Sequence, residues 1–139
     1  MALVVDTGPL VAYLDVSDDD HARCKLLIDG ATEPRVIPAP VLVELDFVLR
    51  PRGGSEAFRG LLDDVALGAF SVVDLAAEDY PRIRRLHEQY SDLPIGFVDA
   101  AVMATVERLN EPKLVTLDHR HFTIMRPIHV GALELLPER

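Results

Sequence analysis

An α/β fold built on a mainly parallel sheet follows from three features of the sequence. Strand-like and helix-like segments alternate along the chain, the strand candidates are continuous apolar runs, and turn residues close them. Continuous apolar strands are those buried on both faces, as in parallel sheets sandwiched between helices. The 139 residues suit one domain, and a chain of that length buries roughly two-thirds of its unfolded surface.

The elements follow in order. Leu3-Val4-Val5 is a short strand closed by Asp6-Thr7-Gly8-Pro9. Helical patterns run from Pro9 to Leu14 and from Asp19 or Asp20 to about Ile28. Arg35-Val36-Ile37 is a second strand, stopped by Pro38 and Pro40. Val41, Leu42, Leu45, Val48 and Leu49 then form an apolar stripe at helical spacing. Gly53-Gly54-Ser55 breaks the chain before a helix from about Glu56 to Leu67. Ala69 to Val73 reads as a third strand, and Glu78 to Tyr90 as a charged helix with Ile83, Leu86 and Tyr90 on one side. Ile95, Val98, Val102, Val106 and Leu109 mark the next helix. Leu114 to Leu117 is a fourth buried strand ending at Asp118, and Ala132 to Leu136 a fifth, near an edge.

Composition narrows the function. Hydrophobic residues make up 49% and charged residues 27%, a globular balance. With 14 Lys and Arg against 23 Asp and Glu, the net charge of −9 argues against indiscriminate polyanion binding. A nucleic-acid substrate would need a local basic patch, bound cations, or both. The single cysteine, Cys24, reads as a small buried hydrophobe and cannot form an internal disulfide. With no long apolar run and no leader-like start, the expectation is a cytoplasmic protein without a membrane segment.

Four acids stand apart from the others by position. Asp6 and Asp118 close buried strands, at the sheet end where open parallel sheets place their active sites. Glu44 and Asp99 fall within the apolar stripes of their helices, where solvated acids are out of place. Each has a plainer explanation. Asp6 and Asp118 can cap the helical turns that follow them, Glu44 can border its stripe, and Asp99 can pair with Arg84 or Arg85. Convergence would be costly without a counter-ion, since unit charges about 5 Å apart repel by roughly 3 kcal/mol per pair at an effective dielectric near 20. Such a cluster persists with bound cations or with some members protonated. Carboxylate oxygens suit Mg²⁺ or Mn²⁺, and the chemistry suggested is metal-assisted phosphodiester hydrolysis.

Asp6 in VVDTGPLVAYLD, Glu44 in PAPVLVELDFVL, Asp99 in DLPIGFVDAAVMATVERL and Asp118 in KLVTLDHRHF together resemble the PIN-domain ribonucleases. Among these the chain looks like the VapC toxins of type II toxin–antitoxin pairs, and the likeness spans residues 1–139 as one domain. It departs at Gly96, where many relatives carry another acid. The resemblance implies a three-layer α/β/α fold and Mg²⁺- or Mn²⁺-dependent endoribonuclease activity. It also implies inhibition by a VapB-type antitoxin and frequent homodimerisation. Asp6, Glu44, Asp99 and Asp118 would then hold metal and activate water, with Thr7 and Thr116 orienting neighbouring carboxylates and Arg120 meeting substrate phosphate.

Other signals are weaker. His119 and His121 read as solvated neighbours of the site, and Arg50, Arg52, Arg82, Arg84 and Arg85 as ordinary surface charge. No phosphate-binding glycine loop or serine nucleophile elbow occurs. The rivals are a catalytically silent PIN-like binding domain and an acidic receiver-like module. A receiver gives Glu44 and Asp99 no role, and Lys113 starts its strand at the end of the sheet opposite Asp118.

Overall fold

The computed structural model describes residues 1–139. Strands β1 (Leu3–Val5), β2 (Arg35–Pro38), β3 (Ser71–Val73), β4 (Lys113–Val115) and β5 (Glu134–Leu136) alternate with seven helices. These are α1 (Thr7–Leu14), α2 (His21–Asp29), α3 (Ala39–Leu49), α4 (Ser55–Ala66), α5 (Asp79–Gln89), α6 (Phe97–Arg108) and α7 (His119–Ile124). A single 3₁₀ turn, Arg50–Arg52, extends α3.

The sheet is parallel throughout, in the order β3-β2-β1-β4-β5. All three residues of β1 are buried. Because successive strand side chains point to opposite faces, helices must cover both sides of the sheet. From β1 the chain winds outward through β2 to β3, then returns to lay β4 on the other side of β1. The order reverses between β1 and β4, which is where parallel sheets open a crevice beyond their strand ends.

A core of 26 buried residues holds the layers together. Helix α6 runs through it, with every residue from Ala100 to Val106 buried, so the Ile95–Leu109 pattern read from sequence marks an interior helix. In α3 the buried row is Val41, Leu45 and Leu49, at i, i+4 and i+8, while Val43 and Phe47 face outward. Leu42 and Val48, expected in the stripe, are only half-buried.

Several boundaries shift. Helix α1 starts at Thr7 because Asp6 caps it, ahead of the Pro9 start expected from apolar spacing. Strand β4 ends at Val115 instead of Leu117, and β5 begins at Glu134 instead of Ala132. The turn expected after Asp118 is a short helix, with Phe122 as its buried residue. No helix is long and apolar enough to cross a membrane.

Candidate metal centre

Four elements deliver four carboxylates to the crevice. Asp6 leaves the end of β1, with Oδ1 accepting from the Thr7 amide and Oδ2 from the Thr116 hydroxyl, each at 2.8 Å. Strand β2 runs directly into α3, whose second turn carries Glu44. Asp99 sits in the first turn of α6. Asp118 lies three residues beyond β4, where its Oδ1 accepts from the His121 amide at 3.1 Å and caps α7. Capping and site membership therefore coexist at Asp6 and Asp118, since only part of each carboxylate is used by the cap.

All four line one cavity of about 530 Å³, together with Thr7, Gly8, Val11, Asp18, Val48, Arg52 and Leu117. Burial and their mutual field show in the protonation of Asp6 and Asp99. Asp6 is only 5% exposed, and burial pushes its pKa from 3.8 to about 7, with the charges of Asp99 and Glu44 adding to the push. The hydrogen bonds from Thr7 and Thr116 oppose this without cancelling it. Burial raises Asp99 to about 6, the Asp118 carboxylate adds to that, and His121 partly offsets it. Two carboxyls so displaced, beside three further acids and with Arg52 the one cation in the cavity wall, mark a pocket short of positive charge.

The threonines divide their work. Thr116 is fully buried, and its hydroxyl donates to Asp6 and accepts from the Asp118 amide at 3.1 Å, tying both strand ends together. Thr7 reaches Asp6 through its backbone amide, whereas its buried hydroxyl has no hydrogen-bond partner in the protein. An unsatisfied buried hydroxyl is rare enough to point to a missing ligand or water. The residues thus fit a hard divalent cation, having carboxylate oxygens in excess and a spare hydroxyl in the same wall.

Three residues depart from the sequence reading. His121 is not solvated: its side chain is 15% exposed, and Nδ1 lies 2.6 Å from Asp118 Oδ2 and 3.9 Å from Asp99 Oδ2. The closer contact lacks hydrogen-bond alignment. Donor atoms of Asp99, Asp118 and His121 fall within 4.8 Å of one another. The available signal was the i, i+3 spacing of Asp118 and His121, visible once the segment is read as helix. Arg120 is exposed on α7 and does not line the cavity. Arg52, read as surface charge, does line it, bonded to Asp15 and to Asp18. Asp99 pairs with no arginine, since Arg84 pairs with Glu88. Gly96 precedes α6 and offers no ligand atom.

Known proteins share this fold. The PIN domain profile matches residues 3–125. Ribonuclease VapC26 of Mycobacterium tuberculosis (strain ATCC 25618 / H37Rv) is 33% identical over 135 residues, which cover 97% of this chain and all of that one. Among solved structures, Mycobacterium tuberculosis VapC20, a toxin that cleaves the sarcin–ricin loop, superposes with a TM-score of 0.79 at 19% identity, covering 94% of this chain and 99% of its own. VapBC2 from Rickettsia felis, bound to a promoter DNA fragment, gives a TM-score of 0.67 at 22% identity and covers 97% of each chain.

Proposed function

The chain belongs to the PIN domain family, and from that premise we propose that it is a metal-dependent endoribonuclease acting as the toxin of a VapBC-type pair. The observation that carries this reading is the meeting of Asp6, Glu44, Asp99 and Asp118 in one cavity that lacks the positive charge to balance them. In this reading the four carboxylates would hold Mg²⁺ or Mn²⁺, which would supply charge stabilisation to the phosphate and activate water for attack. Asp6 is held in place by Thr116, so its orientation is set before any cation arrives. His121 stands close to Asp118 and within 3.9 Å of Asp99, where its imidazole adds a nitrogen beside the two carboxylates.

A VapB-type antitoxin is the partner that restrains this activity, and a basic side chain seated among the carboxylates is the means that the pocket's charge favours. The protein works in the cytoplasm, as a homodimer, on RNA. The test is cleavage of total RNA with Mg²⁺, with Mn²⁺ and with chelator, mapping the cut ends. Metal-dependent cuts bearing 5′-phosphate and 3′-hydroxyl ends are expected, because water rather than the ribose 2′-hydroxyl attacks. Full cleavage in excess chelator, or cyclic phosphate ends, overturns the reading.

A further inference from the structure

Five of the residues lining the cavity are acids, and one is a cation. That cation, Arg52, ends the 3₁₀ turn after α3 and is placed by the two glycines behind it. Gly53 adopts φ +72°, a left-handed conformation that favours glycine. Gly54 packs so tightly on Leu49 that an added Cβ would stand 3.0 Å from Leu49 Cδ2 and 3.2 Å from its carbonyl oxygen. The turn is thereby fixed against the end of α3, and Arg52 lines the cavity beside Asp18.

Its anchorage is one-sided. Nη1 alone bonds Asp15 Oδ2 at 3.2 Å and Asp18 Oδ2 at 3.1 Å. Both carboxylates are themselves held through their other oxygens. Asp15 Oδ1 accepts from the Ser17 amide and hydroxyl, and Asp18 Oδ1 accepts from the Asp20 amide. The Nε and Nη2 groups of Arg52 make no hydrogen bond within the protein. Arg82 is used differently, since its Nε and Nη2 both bond Glu107; Arg50 is also held by one nitrogen, but on an exposed face away from the cavity. A guanidinium steadied by one nitrogen keeps two adjacent donors free in the fork geometry that matches a phosphate.

We propose that Arg52 is the substrate-positioning cation of this site: Asp15 and Asp18 hold it at the rim so that its free Nε and Nη2 donors grip an RNA phosphate next to the carboxylate cluster. This rests on the nuclease reading above. It assigns the phosphate contact to Arg52 rather than to Arg120, which stands outside the cavity. A polyanion entering an acidic pocket needs such a fixed positive point, because metal neutralises the carboxylates without choosing the register of the strand.

The test compares Arg52→Ala, Arg52→Lys, Arg50→Ala and Arg120→Ala in steady-state RNA cleavage with Mg²⁺ at several salt concentrations. Mn²⁺ binding to each free protein is followed by calorimetry. Arg50 removes the same charge two residues away, where it pairs with Asp46 on an exposed face. Arg52→Ala is expected to raise KM about tenfold, with a smaller change in kcat, and to flatten the salt dependence by about 0.7 in log–log slope, the share of one single-strand phosphate. Arg52→Lys should keep the slope and recover only part of the KM, since it retains the charge and loses the fork. Arg50→Ala and Arg120→Ala should stay within about twofold of the parent, and Mn²⁺ affinity should be unchanged in all four. Should Arg52→Ala fail to fold, Arg52→Lys decides: a KM equal to the parent's overturns the assignment. An unchanged KM and slope in folded Arg52→Ala, or equal losses in Arg50→Ala or Arg120→Ala, overturn it as well. If the parent cleaves no RNA with either metal, the nuclease reading itself has failed.

Discussion

Two of the regions that bury carboxylates treat them in opposite ways. Between α5 and α6, Asp79 is 3% exposed and accepts Arg108 Nε through both oxygens, at 3.0 and 3.1 Å. Nearby, Glu107 receives Nε and Nη2 of Arg82 at 2.8 and 2.9 Å and the Ile128 amide at 2.9 Å. Every buried negative charge there has a guanidinium. At the crevice, Asp6 is equally hidden, yet it has two hydrogen bonds and no cation, and its nearest charged neighbours are acids. Burial alone therefore does not distinguish a structural acid from a working one. Lack of a cation is not decisive either, since Glu111, also buried, takes only the Ala2 amide; what sets Asp6 apart is that it shares one cavity with four further acids.

The sharpest way to break this contrast is to neutralise one acid in each region. Asp99→Asn should lower RNA cleavage by about 10²-fold or more, a scale taken from lost electrostatic stabilisation of transition states. Its metal-free Tm should equal or exceed the parent's, since like-charge repulsion is relieved. Added Mg²⁺ should raise the parent's Tm more than the variant's. A destabilised but fully active Asp99→Asn would remove Asp99 from the site. Asp79→Ala should do the reverse, costing about 3 kcal/mol of stability by stranding Arg108, while the folded protein cleaves RNA as before. Chemical denaturation beside a cleavage assay checks both.

Titration sharpens the comparison. The pKa of Asp6 rises from 3.8 to about 7 on folding, so its protonated form is the one folding favours. That contribution is fully present below about pH 4 and is lost as pH climbs to about 7. Asp99 acts in the same sense up to about 6. The metal-free protein should therefore lose on the order of a few kcal/mol from this source between mildly acidic and neutral pH. Mg²⁺ should shrink the loss by stabilising the ionised form. Melts across this range, with Asp6→Asn as the reference that keeps only the Asp99 share, measure it, and a parent whose pH dependence is no steeper than that of Asp6→Asn refutes it. The smallest effect is at Thr116→Val, which removes the hydroxyl joining Asp6 to the Asp118 amide. About a tenfold loss of cleavage with a folded protein is expected.

How much of this was legible in the sequence depends on the range of the interactions. Strands β1, β2 and β4 and helix α6 were visible because their burial leaves continuous apolar runs, and the four acids stood out against those runs. Helix α7 was missed because its six residues hold a single buried side chain, too few to show a period. His121 was lost with it, since its approach to Asp118 depends on that helical turn. Arg52 was hidden for another reason. Its partners Asp15 and Asp18 lie 37 and 34 residues away, and no local pattern distinguishes an arginine held at a rim from one in solvent. Thr116 was suspected, but the bond that defines it spans 110 residues.

That span has a consequence in time. Asp6, Glu44 and Asp99 are all synthesised before β4, yet the crevice closes only when Val4 and Val5 pair with Leu114 and Val115. Contacts so distant along the chain form late, after the local elements on either side have condensed. A nascent chain that stops before Lys113 owns three of the four carboxylates and neither the Thr116 hydroxyl nor the Asp118 wall. Ribosome-held chains of that length should leave RNA intact, while chains released whole should cut it. The topology thus sets a delay between translation and toxicity, an interval in which a protective protein already present in the cell can reach the growing polypeptide first.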